Sequence, residues 1–268
     1  LIQFHQVLRE LPCNEFIQCI TYDHLQLISW KNTCVFKSDL PPVRTILFDL
    51  DGTLIDTAPD MAAALNRTLE LEGREHLPYE TIREKVSHGG KALIQLAFGD
   101  IEEERKLESL KESFLEIYRS NLHLDSELFP GMAPVLAYIE QRGLNWGVVT
   151  NKPEWLTLPL MEGLGLTSRS ISTICGDTTD RSKPHPKPLL IACEQAGSIP
   201  AECIYVGDAE RDIVAGRAAM MRTLVALYGY IDAGEAPDQW GADGAIQDPR
   251  ELLDWLNRPS ASEHPLAR

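Results

Sequence analysis

Asp49-Leu50-Asp51-Gly52-Thr53 follows directly on the apolar run Thr45-Ile46-Leu47-Phe48. An apolar run that ends in two carboxylates and a glycine reads as a buried strand delivering acids to the edge of a sheet. Two carboxylates two residues apart can divide one reaction between them. One attacks as a nucleophile while the other moves the proton.

Three later segments offer partners. Gly147-Val148-Val149-Thr150-Asn151-Lys152-Pro153 is a second apolar strand, ending in a hydroxyl and an amide. Thr150 can bond a phosphate oxygen without adding bulk, and the Asn151 amide can hold a neighbouring ligand group. In Ser182-Lys183-Pro184-His185-Pro186-Lys187-Pro188 a lysine lies in a stretch that prolines keep extended. Ile204-Tyr205-Val206-Gly207-Asp208-Ala209-Glu210-Arg211-Asp212 is again a strand that ends in acids and runs into a helix.

Asp49, Asp51, Asp208 and Asp212 brought into one pocket would repel each other, and some would be driven to their neutral forms. A divalent cation removes the conflict. Few, hard oxygen ligands combined with phosphate and water are what Mg²⁺ prefers. Carboxylates around Mg²⁺, one lysine (Lys183) and one hydroxyl (Thr150) suit phosphoryl transfer, where catalysis is mostly positioning and charge neutralisation.

The ordered set Asp49-x-Asp51-Gly52-Thr53, Thr150-Asn151, Lys183-Pro184 and Gly207-Asp208-x-x-x-Asp212 resembles the haloacid dehalogenase superfamily of phosphohydrolases. Within it the chain is similar to the branch that holds phosphoglycolate phosphatases and N-acetylmuramic acid 6-phosphate phosphatases. The likeness runs from about Val43 to about Leu256. The resemblance implies that Asp49 attacks phosphorus and becomes an aspartyl phosphate. It implies that Asp51 protonates the leaving alcohol and then activates water. Asp49, the backbone carbonyl of Asp51 and Asp208 would bind Mg²⁺, with Asp212 supporting that site and Lys183. Thr150 and the backbone around Asn151 would hold the phosphate, with Gly52 and Thr53 counted in the substrate site, and Lys183 would offset negative charge.

The elements that must position these groups can be read from the pattern. After Phe129-Pro130-Gly131, strand and helix patterns alternate up to the strand Thr223–Leu227, which predicts a parallel, Rossmann-like sheet with helices on both faces. In such sheets ligands sit beyond the carboxyl ends of the strands, where Asp49, Thr150 and Asp208 all fall. Residues 60–126 lack strand signals and read as an all-helical cap, entered at Pro59, a common first-turn residue. The expected division is an extension over 1–42, a core over 43–59 and 127–258, the cap over 60–126, and a tail over 259–268. Residues 1–42 match no family pattern. They read as loosely packed, disordered or an upstream translated stretch, and Cys13, Cys19, Cys34 and His24 fit no usual zinc spacing.

In the cap, Ser87-His88-Gly89-Gly90-Lys91 combines close-approach glycines with His88 and Lys91, which could touch the non-phosphate end of a substrate; the plain alternative is an interhelical loop. Asp56 reads as a helix cap, His185 as exposed, and Trp146 and Trp155 as packing residues.

The 268 residues, 44% of them apolar, suffice for one large domain or a core with a smaller module. A formal net charge of −15 argues against a nucleic-acid surface. No segment has the roughly 18 uninterrupted apolar residues of a membrane span, and no secretion-signal pattern is present. The six cysteines include no C-x-x-C pair and fit a reduced, cytoplasmic setting; Cys193 and Cys203 read as buried small hydrophobes. The expected partner is a small phosphorylated metabolite, with no nucleic acid or membrane; the oligomeric state is not legible.

Three functions compete. A Mg²⁺-dependent phosphomonoesterase leads, its substrate leaning to N-acetylmuramic acid 6-phosphate through Tyr228-Gly229-Tyr230-Ile231, Pro237-x-x-Trp240-Gly241-Ala242-Asp243 and Trp146-Gly147, with 2-phosphoglycolate close behind. A sugar phosphomutase could use the same aspartyl phosphate. A non-catalytic regulatory protein would have no need of an intact set of acids. A dehalogenase has no use for Asp51 and the metal acids.

Overall fold

The computed structural model describes residues 41–257 in full and, before them, the backbone of a short hairpin. In that hairpin β1 (Ile17–Tyr22) pairs antiparallel with β2 (Leu25–Trp30). The remainder of residues 1–40, with the proposed looseness of that stretch and its Cys/His group, lies outside the described residues, as do residues 258–268. The hairpin and residues 41–257 belong to separate units of the chain.

The larger unit is built on β3 (Thr45–Phe48), whose four residues are all fully buried. Alternation along β3 explains why. Ile46 and Phe48 join one apolar layer, while Leu47 joins the other, so each face of the strand is covered. Burying side chains of this size contributes about 1.5–3 kcal/mol each. The chain then passes through β4 (Ile55–Asp56) and enters α1 (Ala58–Leu71), with Pro59 in its first turn. Next come α2 (Tyr79–Arg83), a 3₁₀ turn Val86–His88, α3 (Gly89–Phe98) and α4 (Glu104–Arg119). Leu110, Phe114 and Tyr118 recur every four residues along α4 and make its buried stripe, the spacing that a helix needs to present one apolar face.

Beyond β5 (Glu127–Leu128), the order is α5 (Met132–Gln141), β6 (Asn145–Val149), α6 (Glu154–Gly163), β7 (Thr173–Ile174), α7 (Lys187–Gln195), β8 (Cys203–Gly207), α8 (Glu210–Ala218), β9 (Arg222–Ala226), β10 (Gly244–Ile246) and α9 (Leu252–Leu256). The main sheet runs β10-β9-β8-β3-β6-β7, parallel throughout. Val135 and Leu136 of α5 and Leu252 of α9 pack on the Ile46/Phe48 side; Leu189 of α7 and Ala215 of α8 pack on the Leu47 side. The expected α/β fold with helices on both faces is what the structure has.

Sheet order places the site. The chain moves outward from β3 to β6 and β7, then returns to lay β8 on the other flank of β3. That reversal is a topological switch point, where strand ends leave a crevice. Two small pieces of structure had no sequence signal. β4 and β5 are a two-residue antiparallel ladder, Ile55 opposite Leu128 and Asp56 opposite Glu127, too short to show a period. β10 is likewise only three residues, between turns. The buried Asp60 carboxylate ties the two crossings between helices and sheet together, accepting from the Asp125 amide (3.1 Å), the Ser126 amide (2.9 Å) and the Ser126 hydroxyl (2.7 Å).

Candidate active site

Asp49 stands one residue past β3, its amide donating to the Val206 carbonyl of β8 at 2.9 Å, which fixes it at the switch point. Asp208 follows β8, and Asp212 sits in the first turn of α8. All three are buried, and each offers a carboxylate oxygen within 4.8 Å of the others. Lys183 is buried behind them. Its Nζ lies 2.8 Å from Asp49 Oδ1 and 2.7 Å from Asp212 Oδ1, and it donates to the Tyr205 hydroxyl at 2.9 Å. Three segments, spanning the 163 positions from Asp49 to Asp212, thus share one charge cluster.

The cluster is short of positive charge. Burial, then the neighbouring Asp212, push the Asp49 carboxyl up to about 6, against the pull of Lys183 and Arg211. Burial, then Asp49 and Asp212, push Asp208 up to about 7. Asp208 Oδ2 already accepts from the Ser87 hydroxyl (2.7 Å) and the Tyr230 amide (2.9 Å), and Thr53 Oγ1 approaches Oδ1 at 3.4 Å. Buried carboxylates that remain this basic despite a lysine and several donors are a donor set suited to a hard divalent cation.

Asp51 is placed differently from its neighbour. Its side chain stands apart from the acid cluster, with Oδ1 accepting from Thr57 Oγ1 at 2.6 Å and from Lys152 Nζ at 2.9 Å. The expectation of Asp51 as a metal ligand therefore concerns its backbone carbonyl alone. Thr150 is buried at the end of β6, its amide bonded to the Ile174 carbonyl (2.9 Å), its hydroxyl oxygen accepting from the Lys152 amide (3.0 Å).

A cavity of about 400 Å³ opens in front of these groups. Asp49, Asp51, Thr150, Asn151, Lys152 and Arg211 line it from the sheet side, and Ser87, His88, Gly89, Gly90, Lys111 and Tyr118 line it from the helices of residues 60–126.

The geometry refines several expected positions. The Asn151 side chain is spent on the backbone of Lys183, donating to its carbonyl and accepting from its amide, both at 2.9 Å. It positions the lysine rather than a ligand. Gly52 and Thr53 lie behind the acids, outside the cavity wall. Gly52 has φ +84°, and a Cβ there would run into the Asp208 carboxylate, so glycine is required for close approach. His88 lines the cavity and lies 3.9 Å from Asp232, whereas Lys91 is exposed and outside the lining. Asp56 is one residue short of the cap position, Thr57; it accepts from the Ala58 amide at 3.3 Å and from the Tyr230 hydroxyl at 2.6 Å, and that hydroxyl takes the Thr57 and Ala58 amides at 2.7 and 2.9 Å. Trp146 is buried, and Trp155 is 40% exposed with Arg119 over its ring. His185 is half-buried rather than exposed, because its Nδ1 accepts from the Lys187 amide. Cys193 and Cys203 are buried, as read.

Lys152, Tyr118, Ser87, Arg211 and Tyr230 had no assigned role in the sequence. Lys152 and Arg211 stand inside the quoted motifs and could have been found there. Arg211 is opposed by burial, but Asp212, Asp49 and Asp208 more than offset that and raise its pKa.

With strand ends, acids and lysine in this arrangement, residues 46–226 match the haloacid dehalogenase-like hydrolase family. The chain belongs to that family. It is 41% identical over 216 residues to the N-acetylmuramic acid 6-phosphate phosphatase of Pseudomonas aeruginosa PAO1, covering 81% of this chain and 96% of that protein. It is 42% identical over 209 residues to the phosphoglycolate phosphatase of Xanthomonas campestris pv. campestris, covering 78% and 94%. The crystal structure of a predicted phosphoglycolate phosphatase from Haemophilus somnus 129PT superposes with a TM-score of 0.71 at 26% identity, covering 80% of this chain and 97% of that one. Similarity at this level over most of the chain makes this haloacid dehalogenase-like hydrolase a phosphatase.

Proposed function

We propose that this phosphatase is a Mg²⁺-dependent phosphomonoesterase that works through an aspartyl phosphate on Asp49. The observation that carries the reading is the grouping of Asp49, Asp208 and Asp212 within 4.8 Å, with Lys183 bridging two of them. Asp49 attacks phosphorus, and the ester bond to the substrate oxygen breaks. Asp51 gives its proton to that oxygen, then takes one from the water that cleaves the acyl phosphate, releasing inorganic phosphate and regenerating Asp49. Thr150 and the amides around Asn151 hold the phosphoryl oxygens, while Lys183 keeps Asp49 ionised and aimed. Mg²⁺, held by Asp49, Asp208 and the Asp51 carbonyl with Asp212 in support, supplies charge neutralisation for the transferring group. Residues 60–126 act as the cap, and Ser87, His88 and Lys111 face the part of the substrate that leaves.

For the substrate we favour N-acetylmuramic acid 6-phosphate over 2-phosphoglycolate. Identity does not separate the two, since relatives of both names match at 41–44%. Size supports the choice: a cavity of about 400 Å³ has room for an amino-sugar phosphate. Phosphate release from both compounds, measured side by side, tests this. A higher kcat/KM on N-acetylmuramic acid 6-phosphate is expected, and faster turnover of 2-phosphoglycolate overturns the choice. An Asp49→Asn variant that still released phosphate would overturn the mechanism itself.

A further inference from the structure

Among the described residues, the mechanism above leaves one buried lysine, Lys152, unused. Lys152 directly follows Thr150-Asn151, and its side chain is only 5% exposed. Burial works against its charge, yet Asp51 and Tyr118 beside it outweigh that and push its pKa up. Its Nζ donates to Asp51 Oδ1 at 2.9 Å and to the Tyr118 hydroxyl at 2.9 Å, with Nζ 4.6 Å from the centre of the Tyr118 ring. Tyr118 itself is fully buried on α4 and stacked with Phe114, so the point where it grips the ammonium is fixed by helix packing.

Two features separate this arrangement from an ordinary buried ion pair. First, all three groups line the cavity, so the pair is built into the reacting chamber. Second, both bonds to Asp51 converge on one oxygen. Thr57 Oγ1 and Lys152 Nζ hold Oδ1, and Oδ2 carries no hydrogen bond among the described residues. A carboxylate held at one oxygen from two directions is restrained in orientation, and Asp51 lines the chamber with its other oxygen unbonded among the described residues.

We infer that Lys152, itself held by Tyr118 of α4, is a positioning residue that aims the free oxygen of Asp51 at the oxygen of the leaving group. This rests on the proposed role of Asp51. A helix from one side of the cavity thereby completes the acid–base apparatus on the other side. A loosely held carboxylate can still find the proton's path, but misplacement of the order of an ångström costs up to about 10²-fold in rate.

Leaving-group chemistry provides the test. An alkyl phosphate expels a strongly basic alkoxide and needs a well-aimed acid; p-nitrophenyl phosphate expels a weakly basic phenolate and does not. The parameter kcat/KM covers every step up to departure of the leaving group. It is measured for wild type, Lys152→Met and Tyr118→Phe on p-nitrophenyl phosphate and on the faster of N-acetylmuramic acid 6-phosphate and 2-phosphoglycolate. Lys152→Met should lower kcat/KM about 10²-fold on the alkyl ester and less than about fivefold on the aryl ester, the split that loss of general-acid help produces. Tyr118→Phe keeps the ring and removes only the hydroxyl, and it should show the same split at about 3–10-fold. Should Lys152→Met fail to fold, Tyr118→Phe alone decides. Equal losses on the two esters would overturn the inference while leaving the Asp49 mechanism standing. Persistent turnover of both esters by Asp49→Asn would instead remove the reading on which the inference rests.

Discussion

Mg²⁺ should stabilise this protein strongly at pH 8 and weakly at pH 5, and its binding near pH 6 should expel protons. Without a cation, Asp49 is raised from 3.8 to about 6 and Asp208 from 3.8 to about 7. Groups whose folded pKa is raised favour the folded state while protonated. The stability they allow is fully present below about pH 4 and is lost as pH climbs through about 6 and then about 7. Shifts of about 2 and 3 units correspond to on the order of 3 and 4 kcal/mol, at 1.36 kcal/mol per unit. The two groups face each other and share Asp212, so their costs overlap, and a total of about 4 kcal/mol is the reasonable expectation. For a domain of this size that is about 10 °C in Tm.

A bound cation removes the penalty by making both carboxylates ionic at little cost. Thermal melts with EDTA and with saturating Mg²⁺, taken from pH 5 to 8, should therefore diverge as pH rises, by about 10 °C at the upper end. At pH 6 a group of pKa about 6 is about half protonated and one of about 7 is about nine-tenths protonated, so binding should release about 1.4 protons. Calorimetry in two buffers of different ionisation enthalpy counts it. A Mg²⁺-induced gain that is the same at pH 5 and pH 8, together with no proton release at pH 6, would refute the argument that these buried acids are waiting for a cation.

Other outcomes follow from single contacts. Asp51→Asn should lower kcat about 10²–10⁴-fold in a steady-state phosphate assay and should also lower the EDTA melt by roughly 5 °C or more, since it leaves the buried Lys152 ammonium without its carboxylate. Asn151→Ala removes both clamps on the Lys183 backbone, and kcat should fall about tenfold or more with KM changed less than about threefold; a raised KM at normal kcat would return the Asn151 side chain to the substrate. Gly52→Ala places a Cβ against the Asp208 carboxylate at φ +84°, and should cost at least about 2 kcal/mol, roughly 5 °C in Tm, and weaken Mg²⁺ binding seen by calorimetry.

Much of the core was legible because its signals are local and strong. The Thr45–Phe48 run, the Met132–Gln141 helix and the acids at strand ends announce both the element and what it delivers. A parallel sheet, though not its strand order, was implied by alternation alone, and strand-end placement then joined Asp49, Thr150 and Asp208 without any distance. What escaped was either too short or needed a partner to have meaning. Two-residue β4 and β5 exist only as a pair. Ser87, Tyr118 and Lys152 become informative only when a helix from residues 60–126 lies over the sheet, a contact that no periodicity encodes. Asn151 illustrates the converse: its residue type suggested a ligand contact, but an amide can clamp a backbone as well, and Lys183 was the nearer claimant.

Tyr228-Gly229-Tyr230-Ile231 shows what a likeness in sequence can conceal physically. The Tyr230 amide donates to Asp208, while its hydroxyl meets Asp56 and the amides of Thr57 and Ala58 at the start of α1. From the helical side, Arg83 donates to the carbonyls of Tyr228 (3.2 Å) and Gly229 (3.2 Å) and lies over the Tyr230 ring, and Lys85 pairs with Asp232. Gly229 must be glycine, because a Cβ there would strike Asp208 and the Gly52 carbonyl. One five-residue loop after β9 therefore touches Asp208, the entry to the helices and the helices themselves. Any movement of α2 that loosened Arg83 would pull on the amide that holds Asp208. The helices of residues 60–126 and the acids at the sheet edge are thus joined by a short chain of hydrogen bonds: Arg83 to the Tyr228 and Gly229 carbonyls, and the next amide, that of Tyr230, to Asp208.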